Sequence, residues 1–139
     1  LSDAWYYPGT DGQGFFLAVF PDQRKILLAW FTYDTELPGV EATANLGDPG
    51  QRWLTAQGTY AGAQAELQLY SFGGGLFDQS LPVPVHEQIG SILLQFEDCA
   101  NGTVIYDIPA LGEADRSGLI PIRRVALDNV THCERAGQP

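Results

Sequence analysis

The feature that most constrains the fold of this chain is a two-residue alternation of apolar and polar side chains, broken at short intervals by turn-forming residues. The alternation is clearest in residues 63–72. There the inward set is Ala65, Leu67 and Leu69, and the outward set is Gln64, Glu66 and Gln68. No segment keeps a 3.6-residue apolar period beyond two turns, so the pattern predicts an all-β fold.

About eight short antiparallel strands are predicted, joined mostly by hairpins. They cover residues 5–7, 13–20, 25–33, 52–60, 63–72, 90–96, 103–108 and 118–125, with Asn101-Gly102 as a type I′ turn. No connection suits a parallel crossover, so an up-and-down β-barrel is favoured. Pro121 cannot donate to a ladder, which predicts an edge or a bulge and leaves a two-sheet β-sandwich as the alternative. At 139 residues, one domain spanning 1–139 is expected.

The hairpin formed by residues 15–33 is apolar on both faces. Phe15, Leu17 and Val19 alternate with Phe16 and other apolar residues, whereas a surface hairpin normally carries polar side chains outward. Its outer face is therefore expected to be covered by a long loop or to meet another subunit, which makes a homodimer through this hairpin one of two outcomes.

The two cysteines predict one disulfide. Cys99 follows an apolar run and Cys133 lies in a polar tail, where a free thiol would be hard to bury. A Cys99–Cys133 bridge indicates an oxidising compartment and an exported protein. The chain opens inside what reads as folded sequence, so any export signal is expected to have been removed or to lie outside this sequence. Apolar runs end well before the roughly 18 residues of a membrane span, so no membrane insertion is expected.

The charge balance is acidic, with 17 Asp and Glu against 7 Lys and Arg and a formal net charge of -10. This charge opposes binding to nucleic acid and favours cationic partners. Residues 34–50 form a long acidic loop containing Asp34, Glu36, Glu41 and Asp48. Their spacing does not match an EF-hand loop, so calcium binding and a solvated loop both stay open. The run Gly73–Gly75 is interpreted as a flexible turn and not as a phosphate-binding loop, since neither a Lys-Ser/Thr pair nor a helix follows it.

No catalytic, metal or cofactor motif is found. His86 and His132 are far apart, and neither HExxH nor GxSxG occurs. Glu97, Asp98 and Asp107 are close in sequence, but a glycosidase needs two carboxylates facing across a cleft. A non-enzymatic protein without metal or cofactor is therefore predicted, with a carbohydrate-active enzyme as a third reading.

Aromatic residues are the better site candidates, because amphipathic rings bind sugars or small apolar ligands at a barrel mouth or on one face. The candidate ligand-binding residues are Trp5, Tyr7, Trp30, Tyr33 and Trp53, with core packing as the alternative for each ring. Trp30 and Tyr33 should point to opposite faces of one strand. The favoured function is an exported binding or interaction module for a carbohydrate or small molecule. The alternative is an acidic binder or inhibitor of a basic extracellular protein.

Several motifs occur in a fixed order along the chain. They are Trp5-Tyr6 with Pro8, Gly12-Gln13-Gly14-Phe15, Trp30 to Asp34, Trp53, and Phe96 to Cys99 followed by Asn101-Gly102 and Tyr106. So arranged, the chain resembles, as far as about Arg124, a group of exported bacterial proteins built from WYxPxxxGQGF, WFTYD and FxDCxxG modules. The resemblance implies a bacterial protein of the periplasm or the extracellular space and carries over no catalytic residue. The acidic loop before Trp53 departs from the usual pattern of the group.

Overall fold

Eight antiparallel strands, connected in chain order, close into one barrel in the computed structural model, which describes residues 1–109 and 116–137. The strands are β1 (Asp3–Tyr6), β2 (Gly14–Phe20), β3 (Lys25–Tyr33), β4 (Gln51–Ala61), β5 (Gln64–Gly73), β6 (Val85–Phe96), β7 (Asn101–Ile108) and β8 (Arg116–Arg124), and a short helix α1 (Val130–Arg135) follows. The predicted up-and-down barrel is confirmed.

The barrel is filled by the inward side chains of every strand. Leu28, Leu67, Leu69, Leu94 and Val104 are fully buried in one continuous core. The outward residues of β5, including Glu66 and Gln68, are exposed, as the alternation predicts.

The wall of the barrel is incomplete beside β8. β1 has only four residues and pairs with β8 at two positions, Trp5 with Arg124 and Tyr6 with Arg123. Residues 116–122 of β8 pair with β7 alone, and Pro121, opposite Thr103, lies in this part. Proline has no N–H, but no hydrogen bond is lost at this position because the pairing between β8 and β1 has already ended.

The start of β6 and the turn before β7 differ most from the prediction, and the other strand bounds agree to within two residues. β6 begins at Val85 and not at residue 90, because a bulge beside Leu69 and Tyr70 inserts an extra residue and breaks the alternation. Asn101-Gly102 is not a turn: it belongs to β7, and the turn lies at 97–100. There the Asp98 carboxylate accepts hydrogen bonds from the backbone N–H groups of Ala100 and Asn101. Gly102 instead permits close strand packing, since a Cβ there would lie 2.9 Å from the Gln95 carbonyl oxygen.

The two ends of the barrel differ. The connections 7–13, 34–50 and 74–84 all leave one end, which we term the loop end. The other end, the closed end, carries the short turns 21–24, 62–63 and 97–100 together with α1.

The predicted Cys99–Cys133 disulfide is confirmed and fastens α1 to the closed end. Beside it lies Arg124, which is 3% exposed, pairs with the Asp3 carboxylate and donates to the Cys99 carbonyl oxygen. Its guanidinium lies 4.9 Å from the centre of the Trp5 ring. No helix of the described ranges has the length and apolar character needed to cross a membrane.

Candidate functional site

The gap beside β8 opens into a cavity of about 190 Å³, which we term the wall cavity. It is lined by Tyr7, Thr10, Gln13, Gly14, Phe15, Trp30, Leu119, Ile120 and Pro121. The cavity exists because β1 ends at Tyr6 while β8 continues past it without a partner on that side. Two of the predicted ligand-binding residues, Tyr7 and Trp30, are brought together here.

Adjacent strands fix the aromatic wall of the cavity. Phe15 of β2 is the register partner of Trp30 of β3, and their ring centres are 5.3 Å apart. Trp30 also packs against Tyr106 of β7 from across the interior, at 5.4 Å. Because Phe15 and Tyr106 both lie on regular strands, their rings fix the position of the Trp30 indole.

The loop 7–13 forms the outer rim of the cavity. The Thr10 backbone N–H donates to the Tyr7 carbonyl oxygen at 3.1 Å, which closes a turn. Gly12 has a φ of 70°, a left-handed conformation that glycine adopts without strain, and the Tyr33 hydroxyl lies against it. Tyr33 thus supports the rim from the outer face of β3, opposite to Trp30 as predicted.

Two residues that line the cavity carry hydrogen-bond donors without partners among the described residues. The Trp30 indole N–H donates to no group within residues 1–109 and 116–137. The Gln13 Oε1 atom accepts a bond from Thr32 Oγ1 at 2.7 Å, and the Gln13 NH₂ group has no acceptor in the same ranges. No fully buried side-chain nitrogen or oxygen there lacks a partner, so the indole N–H must retain solvent contact although Trp30 is only 7% exposed. Since Trp30 lines the wall cavity, we infer that this contact is made there.

The wall cavity carries no charged side chain among its lining residues. The carboxylates considered for glycoside hydrolysis are not brought together: Glu97 and Asp98 belong to a turn of the closed end, and Asp107 lies near the loop end of β7. From Asn101 to Asp107 the strand rises about 20 Å. Among the described residues, neither the wall cavity nor these three positions bring two carboxylates together across a cleft.

Two of the four acids of loop 34–50 have structural partners. Asp34 pairs with Arg52 at 2.8 Å, and the Asp48 carboxylate accepts a bond from the Gly50 backbone N–H at 2.8 Å. No group of three or more His, Cys, Asp or Glu side chains in the described part of the chain could hold a metal ion.

A second aromatic cluster lies on the outer wall, near the loop end, and we term it the aromatic row. It consists of Phe16, Phe31, Trp53, Phe72 and His86, which lie on five successive strands from β2 to β6. Ring centres are 5.6 Å apart for Phe16 and Phe31, 5.9 Å for Trp53 and Phe72, and 5.7 Å for Phe72 and His86. Trp53 and Phe16 are more than half exposed.

Of this row, only Trp53 is among the ligand-binding residues predicted from the sequence. The other four could have been found from the strand pattern, because all of them occupy outward positions near strand ends. Trp5 does not belong to either cluster. It is 1% exposed and packs against Phe96, with ring centres 5.3 Å apart, so core packing accounts for it.

Nothing matches the chain in comparisons with protein-family models, curated proteins and solved structures. The resemblance to exported bacterial proteins stays a prediction.

Proposed function

We propose that this protein is a non-enzymatic binding module that holds one ring of an uncharged carbohydrate in the wall cavity. The observations that carry the proposal are that Trp30 lines an apolar cavity and that its indole N–H has no acceptor among the described residues. A binding site of this kind combines apolar walls with a few placed polar groups.

The size of the cavity limits the ligand to about one ring. Its volume of about 190 Å³ is somewhat larger than the roughly 150 Å³ cavity that accommodates benzene. It is below the roughly 300 Å³ at which pockets for drug-sized ligands begin. A single sugar unit, free or at the end of a chain, has the appropriate dimensions.

The lining favours a sugar over a purely apolar ligand. Phe15, Trp30 and Leu119 offer apolar surface to the C–H groups of a sugar ring, while Gln13 and Tyr7 can bond its hydroxyls. An apolar ligand would take the Trp30 and Gln13 donors out of water without replacing their partners, at about 1–3 kcal/mol for each group. Binding of an anionic sugar is opposed by the net charge of -10.

Export belongs to the same proposal. The Cys99–Cys133 bridge supports an oxidising compartment, since structural disulfides are rare in reducing ones. A protein of the bacterial periplasm or the extracellular space would meet free sugars and surface glycans.

The test follows the three tryptophan indole N–H signals in a ¹H–¹⁵N NMR spectrum, with the Trp30 signal assigned from a Trp30→Phe variant. We would titrate the oxidised protein with glucose, galactose, N-acetylglucosamine, glucuronate and benzyl alcohol. Neutral sugars are expected to shift the Trp30 signal and to leave the buried Trp5 signal in place. Glucuronate is expected to bind more weakly than glucose.

Matched variants locate the site. Gln13→Met keeps side-chain length but removes the NH₂ donor, together with the Oε1 acceptor of the Thr32 hydroxyl, so it should weaken sugar binding. Trp53→Phe on the outer wall should bind as the wild type does. If no neutral sugar moves the Trp30 signal, or if Gln13→Met binds with unchanged affinity, the proposal is wrong. Preferential binding of benzyl alcohol would also overturn it.

A further inference from the structure

The outer surface of β2, β3 and β4 is unusually apolar. Seven large apolar side chains on this side, including one from β5, are each between 42% and 57% exposed: Phe16, Phe20, Leu27, Phe31, Tyr33, Trp53 and Phe72. We term this surface the outer apolar face. We infer that two copies of this chain associate through it in antiparallel orientation, related by a two-fold axis.

The area is sufficient for a stable dimer. An aromatic side chain buries about 150–250 Å² when fully enclosed, so the six aromatic ones, each about half exposed, offer about 600 Å² per copy, and Leu27 adds to this area. A standard stable interface buries about 800 Å² per partner. Monomeric proteins rarely leave a contiguous apolar patch of this size in water.

The shape of the outer apolar face is complementary to itself. Toward the loop end it carries the ridge formed by the aromatic row. Toward the closed end it carries a groove of about 350 Å³ lined by Phe20, Gln23, Lys25, Ile26, Leu27 and Gln57. A two-fold axis across the middle of β3 places the ridge of each copy over the groove of the other, so the contact forms twice.

The charges favour the antiparallel orientation. Arg24 and Lys25 outnumber Asp22 at the closed end of the face, which leaves that end net positive, and the acidic loop 34–50 stands at the loop end. The antiparallel arrangement brings the basic end of one copy to the acidic end of the other, whereas a parallel one would bring like charges together. Lys25 is the one charged side chain that β2 and β3 carry, so the net charge of -10 is concentrated away from the centre of the contact.

The first test measures association by sedimentation velocity of the oxidised chain over a range of concentrations. A dimer is expected, and Phe31→Gln should raise its dissociation constant about 30-fold, the loss expected for a central interface side chain. The control is Ile105→Gln on β7, four strands away from β3 around the barrel, which should leave association unchanged. Thermal melting verifies that both variants are folded.

The second test determines the orientation by zero-length carbodiimide cross-linking. Lys25 is the only lysine in the chain, and it lies about 27 Å along β3 from Tyr33, where the acidic loop begins. A zero-length cross-link from Lys25 to Glu36 or Glu41 is therefore expected between copies. The link should form at concentrations where the dimer is populated. It should not form in samples that are diluted to the monomer before the reagent is added, and it should be absent in Lys25→Gln.

Three results overturn the inference: a monomer at the highest concentration reached, a dimer unaffected by Phe31→Gln, or a dimer in which Lys25 links only to neighbouring acids such as Glu66. The inference does not depend on sugar binding, because Phe31 lies outside the wall cavity. The Trp30 signal should therefore respond to glucose equally in Phe31→Gln and in the wild type.

Discussion

Removal of the Cys99–Cys133 bridge should lower the stability of the barrel by several kilocalories per mole without changing its topology. The bridge joins positions 34 residues apart, and the chain-entropy model assigns about 3.8 kcal/mol to closing a loop of this length. The loop contains β7 and β8, whose register is set by their own ladder, so the double variant Cys99→Ser, Cys133→Ser should still fold.

The assay is equilibrium unfolding in urea. With an m-value of about 2 kcal/mol/M, the midpoint should fall by about 2 M in the double variant. Reductant should produce the same change in the wild type and none in the double variant, which is the control. A six-residue helix has little stability of its own, so hydrogen exchange at the Cys133 amide, which bonds to the Asn129 carbonyl oxygen, should accelerate on reduction.

One outcome would refute this reasoning. If mass spectrometry shows both thiols reduced and the urea midpoint of the wild type has not moved, the bridge does not stabilise the fold by restricting the unfolded chain.

Two further predictions concern stability. Burial alone would raise the pKa of Asp3, but hydrogen bonds from Asn129, Ala4 and Arg124 lower it below 3.8, so its stabilisation is present above about pH 4 and is lost as the pH falls through the folded pKa. Asp3→Asn should cost about 2 kcal/mol at pH 6 and less at pH 3 in thermal melts, and a cost independent of pH would contradict this. Gly58→Ala would place a Cβ 1.9 Å from the Glu66 carbonyl oxygen and should cost about 3 kcal/mol in urea unfolding. Gly73→Ala, which meets nothing within 4 Å, is its control and should be nearly neutral; equal effects would refute the steric argument.

Much of the fold was predictable because alternation is a local property of the chain. The predicted bounds of β3, 25–33, agree with those observed, since inward and outward side chains alternate without interruption along that strand. β6 was predicted to begin five residues late, because the bulge at its start disturbs the two-residue phase. The helix α1 is too short to show a period and is anchored by Cys133.

The site was less predictable because it depends on long-range register. Tyr7 and Trp30 could be selected as aromatic candidates, but the cavity between them arises where β1 stops beside β8, more than 100 positions away in the sequence. The burial of Arg124 likewise depends on Asp3, 121 positions distant. Neither the cavity nor the pairing of Arg124 with Asp3 produces a periodic pattern in the sequence from which it could be predicted.

The difference between the closed end, which the disulfide fastens, and the loop end has an evolutionary consequence. The strand pairing does not depend on the length of the connections 34–50 and 74–84, so these two segments can lengthen, shorten or be exchanged while the ladders keep their pairing. Sequence divergence among proteins of this architecture should therefore be greatest at the loop end, and grafted peptides should be tolerated there.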